Sequence, residues 1–195
     1  MKFQILDKSQ ITEAKKLWQT LEGKIDNLSL GNKWIWVETR LDNFADEVEF
    51  YFIVGVKANK PVGIALVAKE LKRNLPFPVK AFHIGTQGEG LNDAISLINN
   101  TILVQQNDKK EFIKGLIKKI EENFKWEEIV FDEYTDKEVQ DLASFFKNKN
   151  LKITTQNLRW FDLSLVEKGK TVLSYLSPSV KKSFKLTSEA FAKIS

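Results

Sequence analysis

The chain has 195 residues, 43% of them hydrophobic and 29% charged, a composition typical of a globular domain with a sizeable core. Its 30 Lys and Arg residues and 26 Asp and Glu residues give a net charge of only +4 with both signs interspersed, which disfavours nucleic-acid binding. The absence of cysteine excludes disulfides, thiolate catalysis and cysteine metal sites, and a single histidine argues against a zinc site. Because neither a signal-peptide pattern nor a membrane-length apolar run is present, we expect a cytoplasmic protein without a membrane partner.

The chain opens with a pattern that predicts one strand followed by two helices. Residues 2–6 alternate and predict a short strand, and Ser9 is the expected N-cap of a first helix. The apolar positions of that helix fall at helical spacing: Ile11, Ala14, Leu17, Trp18, Leu21 and Ile25. Gly31 and Asn32 then break the chain before a second helical segment over residues 34–44.

Three strands joined by short links follow. Residues 47–57 are rich in β-branched and aromatic side chains, with the apolar residues of even number sharing one face. A turn over residues 58–61 leads into a second strand over 62–69, which predicts an antiparallel hairpin. Residues 73–78 contain two prolines and predict a connection, after which 79–84 form the third strand of a meander.

The next segment is harder to assign. Residues 91–107 keep neither the helical nor the strand period, and we predict a short helical turn followed by a buried extended piece. Asp108 with Glu111 then has the spacing of a capping box. It predicts a helix whose apolar face consists of Phe112, Leu116, Ile117, Ile120 and Phe124.

The last elements complete a sheet protein with a distinct tail. Residues 126–134 predict a central strand, and Thr135 with Glu138 predicts a second capping box that opens a helix. Residues 153–165 predict the closing strand or strands. The tail from 167 leaves the sheet pattern, and Ser177 followed by proline can start a helix.

The expected fold class is therefore α+β: a mixed, mostly antiparallel central sheet flanked by helices. The predicted order is β-α-α-β-β-β-α-β-α-β plus a C-terminal helical tail. Residues 1–166 form the predicted domain, and residues 167–195 form a helical tail or linker.

We expect the working edge of the protein at residues 79–93, VKAFHIGTQGEGLND, where an apolar strand runs into a loop with three glycines. Gly85, Gly88 and Gly90 allow positive φ and let a ligand approach bare backbone N–H groups. In α/β and α+β proteins, the loop that leaves the carboxyl end of a central strand is a preferred ligand site.

The order of elements resembles the GNAT acyltransferase fold. The segments AFHIGTQGEGLND, ISLINNTILV, IVFDEY and YLSPSVKKSFK resemble the N-terminal half of tandem-domain GNAT proteins, the FemAB-like and cellulose-biosynthesis-associated acyltransferases. In that family, a motif like the one from Tyr175 to Lys185 joins the first half to a second GNAT domain that carries the acyl-CoA site. The resemblance implies that residues 167–195 lead toward a second domain that this chain lacks.

The resemblance also implies a cofactor loop. GNAT enzymes hold the CoA pyrophosphate with a Q/R-x-x-G-x-G/A loop at a helix N-terminus. Gln87 and Gly90 match that pattern, and Asn92 stands where a glycine or alanine is expected. The residues implied to bind acetyl-CoA, or another acyl-CoA, are Thr86, Gln87, Gly88, Glu89 and Gly90.

Candidate catalytic residues lie at the ends of two strands. His83 sits within an apolar strand and is either a base or a core residue. Asp132, Glu133 and Tyr134 end a strand at which the resemblance implies a general base or a proton donor, and Glu133 and Tyr134 are the residues we assign to those roles. The alternative is that the acidic pair only belongs to the helix-capping turn around Thr135.

Two functional hypotheses remain open. The first is an acyl-CoA-dependent N-acyltransferase whose acceptor is an amine on a small molecule or peptide. The second is a non-catalytic GNAT-like half that acts as a binding or dimerisation module, because a homodimer could reproduce the tandem arrangement. The five tryptophans could line an acyl pocket or belong to the core, and the lysines at 181, 182 and 185 could meet an acidic partner or simply be solvated.

Overall fold

The computed structural model of the protein describes residues 1–26, 28–44, 48–74, 77–85, 100–146, 152–153, 174, 177–182 and 185. The chain divides into two compact units, Met1–Leu151 and Lys152–Ser195. The first unit contains the sheet and its helices. The predicted domain limits, 1–166 and 167–195, stay a prediction.

Ten strands and helices make up the described part of the first unit. The strands are β1 (Lys2–Leu6), β2 (Glu49–Lys57), β3 (Lys60–Asn74), β4 (Phe77–Ile84), β5 (Leu103–Val104) and β6 (Glu128–Val130). The helices are α1 (Ile11–Glu22), α2 (Trp34–Phe44), α3 (Lys109–Asn123) and α4 (Asp136–Ala143). Through α4 their order follows the prediction, except that β5 is an additional short strand where the ambiguous segment was expected to be extended and buried.

The strands form one sheet in the order β1-β2-β3-β4-β6, with β5 paired to β3. All pairings between these strands are antiparallel except the one between β4 and β6, which is parallel. The predicted α+β class with a mostly antiparallel sheet flanked by helices is therefore confirmed. The single parallel pair places the carboxyl ends of β4 and β6 side by side.

Both faces of the sheet are buried, because strand side chains alternate between them. The face that packs against α1 and α2 carries Phe52, Val54 and Leu66 together with Trp18 and Trp34 from the helices. The opposite face packs against α3 and α4 through Ile53, Val67, Phe82, Ile84, Phe112, Leu116, Ile120 and Leu142. Each fully buried large apolar side chain contributes about 1.5–3 kcal/mol relative to leaving it exposed.

Helix α3 approaches the sheet closely at one pair of glycines. Gly55 and Gly63 are cross-strand partners on β2 and β3. A Cβ built on either residue would lie 2.6 Å from the Phe112 ring. Phe112 itself is fully buried, so these glycines provide the space in which its ring lies.

The hairpin between β3 and β4 is longer than the sequence indicated. Arg73 pairs with Pro78 and Asn74 with Phe77, so the prediction that residues 73–78 form a connection is wrong. Proline lacks the N–H that a ladder needs, but it is tolerated near the start of a strand. Pro78 is the second residue of β4.

Of the N-caps predicted at Ser9 and at Thr135, only the second is present. Ser9 is not an N-cap, because Asp7 caps the short 3-10 turn Lys8–Gln10 that precedes α1. Asp7 Oδ1 accepts from the Ser9 N–H at 2.8 Å, and the Ser9 hydroxyl lowers the pKa of that carboxyl. Thr135 is the N-cap of α4, with its hydroxyl accepting from the Glu138 N–H, so that part of the prediction is confirmed.

The capping box predicted for α3 does not form. Asp108 is the N-cap residue, but its side chain makes no capping hydrogen bond. Its carboxylate accepts from Lys57 Nζ at 3.0 Å, and Glu111 accepts from the Met1 amine at 2.7 Å. Both acids that the local spacing assigned to the cap therefore form ion pairs with positive charges elsewhere in the chain.

Two further segments differ in extent from the prediction. The strand expected over residues 126–134 is limited to β6, followed by an isolated bridge between Asn100 and Tyr134. Of the closing strand expected over 153–165, only Ile153 lies within the described residues, and it is not in a strand. In the second unit, residues 178–182 are helical and the Lys181 N–H donates to Ser177 O at 3.0 Å, as the serine-proline start predicted.

Candidate active site

The candidate site lies where β4 and β6 end side by side. Their register pairs Ala81 with Glu128, Phe82 with Ile129 and His83 with Val130. Residues two apart on a strand share a face, so Asp132 continues on the face of Val130 and His83. His83 and Asp132 are 49 positions apart in the sequence, so it is the pairing of β4 with β6 that brings them together.

His83 and Asp132 form a hydrogen-bonded pair. The distance between His83 Nδ1 and Asp132 Oδ2 is 3.0 Å. The histidine side chain is 6% exposed, whereas the aspartate side chain is 49% exposed. A carboxylate at Nδ1 selects the tautomer that carries its proton there, which makes Nε2 the basic nitrogen of the neutral ring. A buried imidazole oriented by a half-exposed carboxylate has the arrangement of a general base and its orienting group.

Tyr134 lies beside this pair. Its hydroxyl donates to Ile84 O, the last carbonyl of β4, at 3.3 Å. Burial raises the pKa of Tyr134 well above its ordinary value, and the nearby carboxylates of Glu138 and Asp132 raise it further. The phenol therefore stays protonated across the neutral range and acts as a hydrogen-bond donor.

Glu133 joins the site through its backbone. Its φ of 63° places it in the left-handed region, where the chain turns from β6 toward α4. Its carbonyl accepts from the Asn100 N–H at 2.9 Å. Of the three predicted catalytic residues, the structure thus brings His83 and Tyr134 to the same strand ends and adds Glu133 by a backbone contact.

Asn100 lies between the two strand ends. Its side-chain Nδ2 donates to Asp132 O at 3.0 Å and to Ile84 O at 3.4 Å. The residue is completely buried, and its Oδ1 has no hydrogen-bond partner in the described part of the chain. Gly85 adjoins this amide with φ of 82°, which confirms that the glycine directly after the strand adopts positive φ.

From the sequence, Asp132 was either part of the strand end that carries Glu133 and Tyr134 or part of the capping turn around Thr135, and Asn100 had no predicted role. The shared parity of Val130 and Asp132 was the signal that could have placed Asp132 beside a neighbouring strand. For Asn100 the sequence holds no comparable signal, because its partners are carbonyl groups of distant strands.

The predicted phosphate loop lies outside the described residues. Thr86, Gln87, Gly88, Glu89 and Gly90 all fall in the undescribed segment from 86 to 99, so their role as an acyl-CoA cradle stays a prediction.

A concave surface lies away from these residues, between the end of α1 and the start of α2. It has a volume of about 470 Å³ and is lined by Gln19, Glu22, Gly23, Lys33, Trp34 and Ile35. Glu22 Oε2 accepts from the Trp34 N–H at 2.9 Å, which satisfies a free donor at the start of α2. Trp34 lines this cleft, but both Trp34 and Trp18 are buried core residues, and Trp18 Nε1 donates to Asn32 O at 3.0 Å.

The described residues contain no group of three or more acidic or histidine side chains placed to hold a metal ion. Among the same residues, no helix combines the length and the apolar character needed to cross a membrane.

Comparison with known proteins yields similar structures but no similar sequences. No protein-family model matches the chain, and no curated protein sequence matches it. An aminoglycoside acetyltransferase from an uncultured soil metagenomic sample is 17% identical with a TM-score of 0.44, covering 83% of this chain and 94% of its own.

Two further solved structures give the same result. The aminoglycoside 6'-N-acetyltransferase of Acinetobacter haemolyticus is 12% identical with a TM-score of 0.46, over 83% of this chain and 98% of its own. Glucosamine-6-phosphate N-acetyltransferase from Arabidopsis thaliana is 15% identical with a TM-score of 0.39, over 83% of this chain and 100% of its own. Identities and TM-scores of this size do not decide an activity, so the case for function depends on the site.

Proposed function

We propose that this chain is an N-acyltransferase of the GNAT kind, which transfers an acyl group from acyl-CoA to an amine of a small molecule or peptide. The observation that carries the proposal is the contact between His83 Nδ1 and Asp132 Oδ2 at the adjacent ends of two parallel strands. The carboxyl edge of such strands is where ligands of α/β sheets bind. The resemblance of the following loop to a CoA-binding loop supports the donor.

In this mechanism, His83 is the general base. The acceptor nitrogen forms a bond to the thioester carbonyl carbon, the carbon–sulfur bond breaks, and the thiolate leaves. The proton lost by the amine passes to the imidazole of His83, while Asp132 holds the ring and stabilises the imidazolium that results. A base of this kind contributes about 10²- to 10⁴-fold to the rate.

Tyr134 has a different task from the one that its position in the sequence suggested. A cysteine-like thiol has a pKa of about 8.5, well below that of the buried Tyr134 phenol, so a leaving thiolate does not take the proton of this tyrosine. The single hydrogen of its hydroxyl is donated to Ile84 O at the end of β4. We therefore assign Tyr134 to holding the end of β4 in place rather than to protonating the leaving group.

Glu133 is the alternative base. Its backbone geometry at positive φ is unusual for a residue other than glycine, and such conformations occur frequently at functional sites. A comparison of Glu133→Gln with Asp132→Asn separates the two carboxylates, because only the second removes the carboxylate that lies 3.0 Å from His83 Nδ1.

The decisive experiment is a calorimetric titration with acetyl-CoA, repeated with Gly90→Val, which blocks backbone approach in the predicted cradle. Acetyl-pantetheine, which lacks the pyrophosphate, is the matched ligand control. Micromolar binding of acetyl-CoA that the variant loses, with little change for acetyl-pantetheine, supports the proposal. Thiol release in the presence of small-molecule and peptide amines then identifies the acceptor class.

Absence of binding at millimolar acetyl-CoA overturns the proposal. It favours instead the GNAT-like half that binds a partner or a second copy of itself. A mass measurement by size exclusion with light scattering then distinguishes a monomer from a homodimer.

A further inference from the structure

We propose that Asn100 is a positioning residue for the catalytic pair: it ties the ends of β4 and β6 together so that Asp132 meets His83. This inference rests on the proposed function for its catalytic meaning, but its structural content is independent of that function.

Such a residue is needed because the hydrogen-bond ladder between β4 and β6 ends before it reaches Asp132. The last pair in the register of β4 and β6 is His83 with Val130. Asp132 lies two residues beyond that pair, where the ladder no longer fixes the distance between the two chains. A general base requires its orienting group within hydrogen-bond reach, so something else must hold this part of the backbone.

The contacts of Asn100 supply that restraint at Asp132 and at the residue that follows it. Its Nδ2 donates to Asp132 O at 3.0 Å and its backbone N–H donates to Glu133 O at 2.9 Å. The same Nδ2 donates to Ile84 O, the residue after His83, at 3.4 Å. Because a side-chain amide nitrogen carries two hydrogens, one asparagine can serve a carbonyl on each strand at the same time.

The remaining atom of the amide shows that packing alone does not explain this residue. Asn100 Oδ1 is buried and has no partner among the described residues, which is unfavourable for a polar atom. An apolar side chain at this position would avoid that cost but could not donate to either carbonyl. Within the described part of the chain, Asn100 thus leaves one acceptor unsatisfied while its Nδ2 donates to a carbonyl at each strand end.

Gly85 completes the arrangement. A Cβ at this position would lie 2.6 Å from Asn100 Oδ1 and 2.8 Å from Nδ2, so a side chain there would displace the amide. The glycine directly after β4 thus leaves the space in which Asn100 bridges the two strands.

The test uses the fact that His83 is the only histidine in the chain. Protein labelled with ¹⁵N-histidine gives one imidazole, whose tautomer is measured by long-range ¹H–¹⁵N correlation. We expect the Nδ1–H tautomer in the wild type and a shift away from it in Asp132→Asn. Asn100→Ala should shift the ring resonances in the same direction, while Asn123→Ala should leave them unchanged.

Asn123 is a matched control, because its exposed side chain also donates to a backbone carbonyl, that of Lys119, at 2.9 Å. Ring resonances in Asn100→Ala that equal those of the wild type would overturn the proposal. If Asn100→Ala does not fold, the test is instead the hydrogen-exchange rate of the asparagine side-chain amides in the wild-type protein. The Asn100 side-chain amide should then exchange far more slowly than that of Asn123, and equal rates would overturn the proposal.

Kinetics provide the link to catalysis. With acyl transfer established, Asn100→Ala should lower kcat about 10- to 100-fold, with the KM for acyl-CoA nearly unchanged, because misplacement of a catalytic group affects the chemical step. If the wild type shows no transfer, the proposed function fails, whereas the tautomer measurement still decides the role of Asn100.

Discussion

The amide of Asn100 occupies the space that a side chain at Gly85 would need, since a Cβ built there would lie 2.6 Å from Asn100 Oδ1. Gly85→Ala therefore has two costs, the clash and a φ of 82° that disfavours any residue with a Cβ. We expect it to lower the free energy of unfolding by about 2–4 kcal/mol, measured by urea denaturation. In an Asn100→Ala background the clash disappears and only the φ cost, about 1–2 kcal/mol, should remain. An equal cost in both backgrounds would contradict this contact.

The Phe112 ring likewise occupies the space that a side chain at Gly63 would need. Gly63→Ala places a methyl group 2.6 Å from that ring, and overpacking of this kind costs about 1–3 kcal/mol in free energy of unfolding. Gly23→Ala is the matched control, because a Cβ there meets only Gln19 O at 3.6 Å, and we expect it to be nearly neutral. Phe112→Ala should cost about 3–5 kcal/mol by itself, yet should make Gly63→Ala tolerable. Additive costs in the double variant would show that the two residues do not interact.

His83 and Asp132 should affect turnover rather than folding. With an amine acceptor in hand, His83→Gln should lower kcat/KM about 10²- to 10⁴-fold, the usual contribution of a general base. Asp132→Asn should lower it less, because the ring remains but loses the partner that orients it. Asp141→Asn, which changes an exposed acid of α4, is the control and should have no effect. Wild-type turnover in His83→Gln would remove His83 from the mechanism.

Tyr51 should titrate far later than an ordinary tyrosine. Its hydroxyl donates to Glu49, and this bond, with partial burial, raises the pKa of Tyr51 to about 12. Because the folded pKa is raised, the stabilisation is present below pH 10 and is lost as the pH rises toward 12. Ultraviolet titration of tyrosinate should show a late component to which both Tyr51 and the buried Tyr134 contribute. Tyr51→Phe should remove only the Tyr51 part of this component, and Glu49→Gln should move that part to lower pH. A late component of unchanged amplitude in Tyr51→Phe would contradict the raised pKa of Tyr51.

Glu49 should contribute to stability against acid. Hydrogen bonds from Lys69 first, and from Tyr51 second, lower the pKa of Glu49 below its ordinary value of 4.5. Because the folded pKa is depressed, the stabilisation is present above pH 4.5 and is lost as the pH falls through the lower, folded value. Glu49→Gln should therefore flatten the dependence of unfolding free energy on pH in this acidic range. The same slope in wild type and variant would mean that the ion pair does not persist in solution.

The amino-acid sequence was sufficient to predict the elements whose signals are local. The aromatic and β-branched residues of β2, the apolar face of α3 and the Thr135 cap of α4 all appear where periodicity and capping rules place them. These features depend on residues within a few positions of one another, so the sequence determines them directly.

The tertiary structure decided the features that depend on distant partners. Lys57 and the Met1 amine took the carboxylates of Asp108 and Glu111 away from their predicted capping box, because charges on neighbouring elements compete with local hydrogen bonds. Pairing with β4 extended β3 through the segment that its prolines had suggested was a connection.

The candidate site belongs almost wholly to this second class. The sequence identified His83 and Tyr134 as residues capable of acid-base chemistry, but it held no information on which carboxylate His83 would meet. That was decided by the parallel register of β4 with β6 and by the position of Asn100 between them. The physical reason is that side-chain chemistry is encoded residue by residue, whereas hydrogen-bond geometry within about 3 Å arises only when packing fixes distant segments against each other.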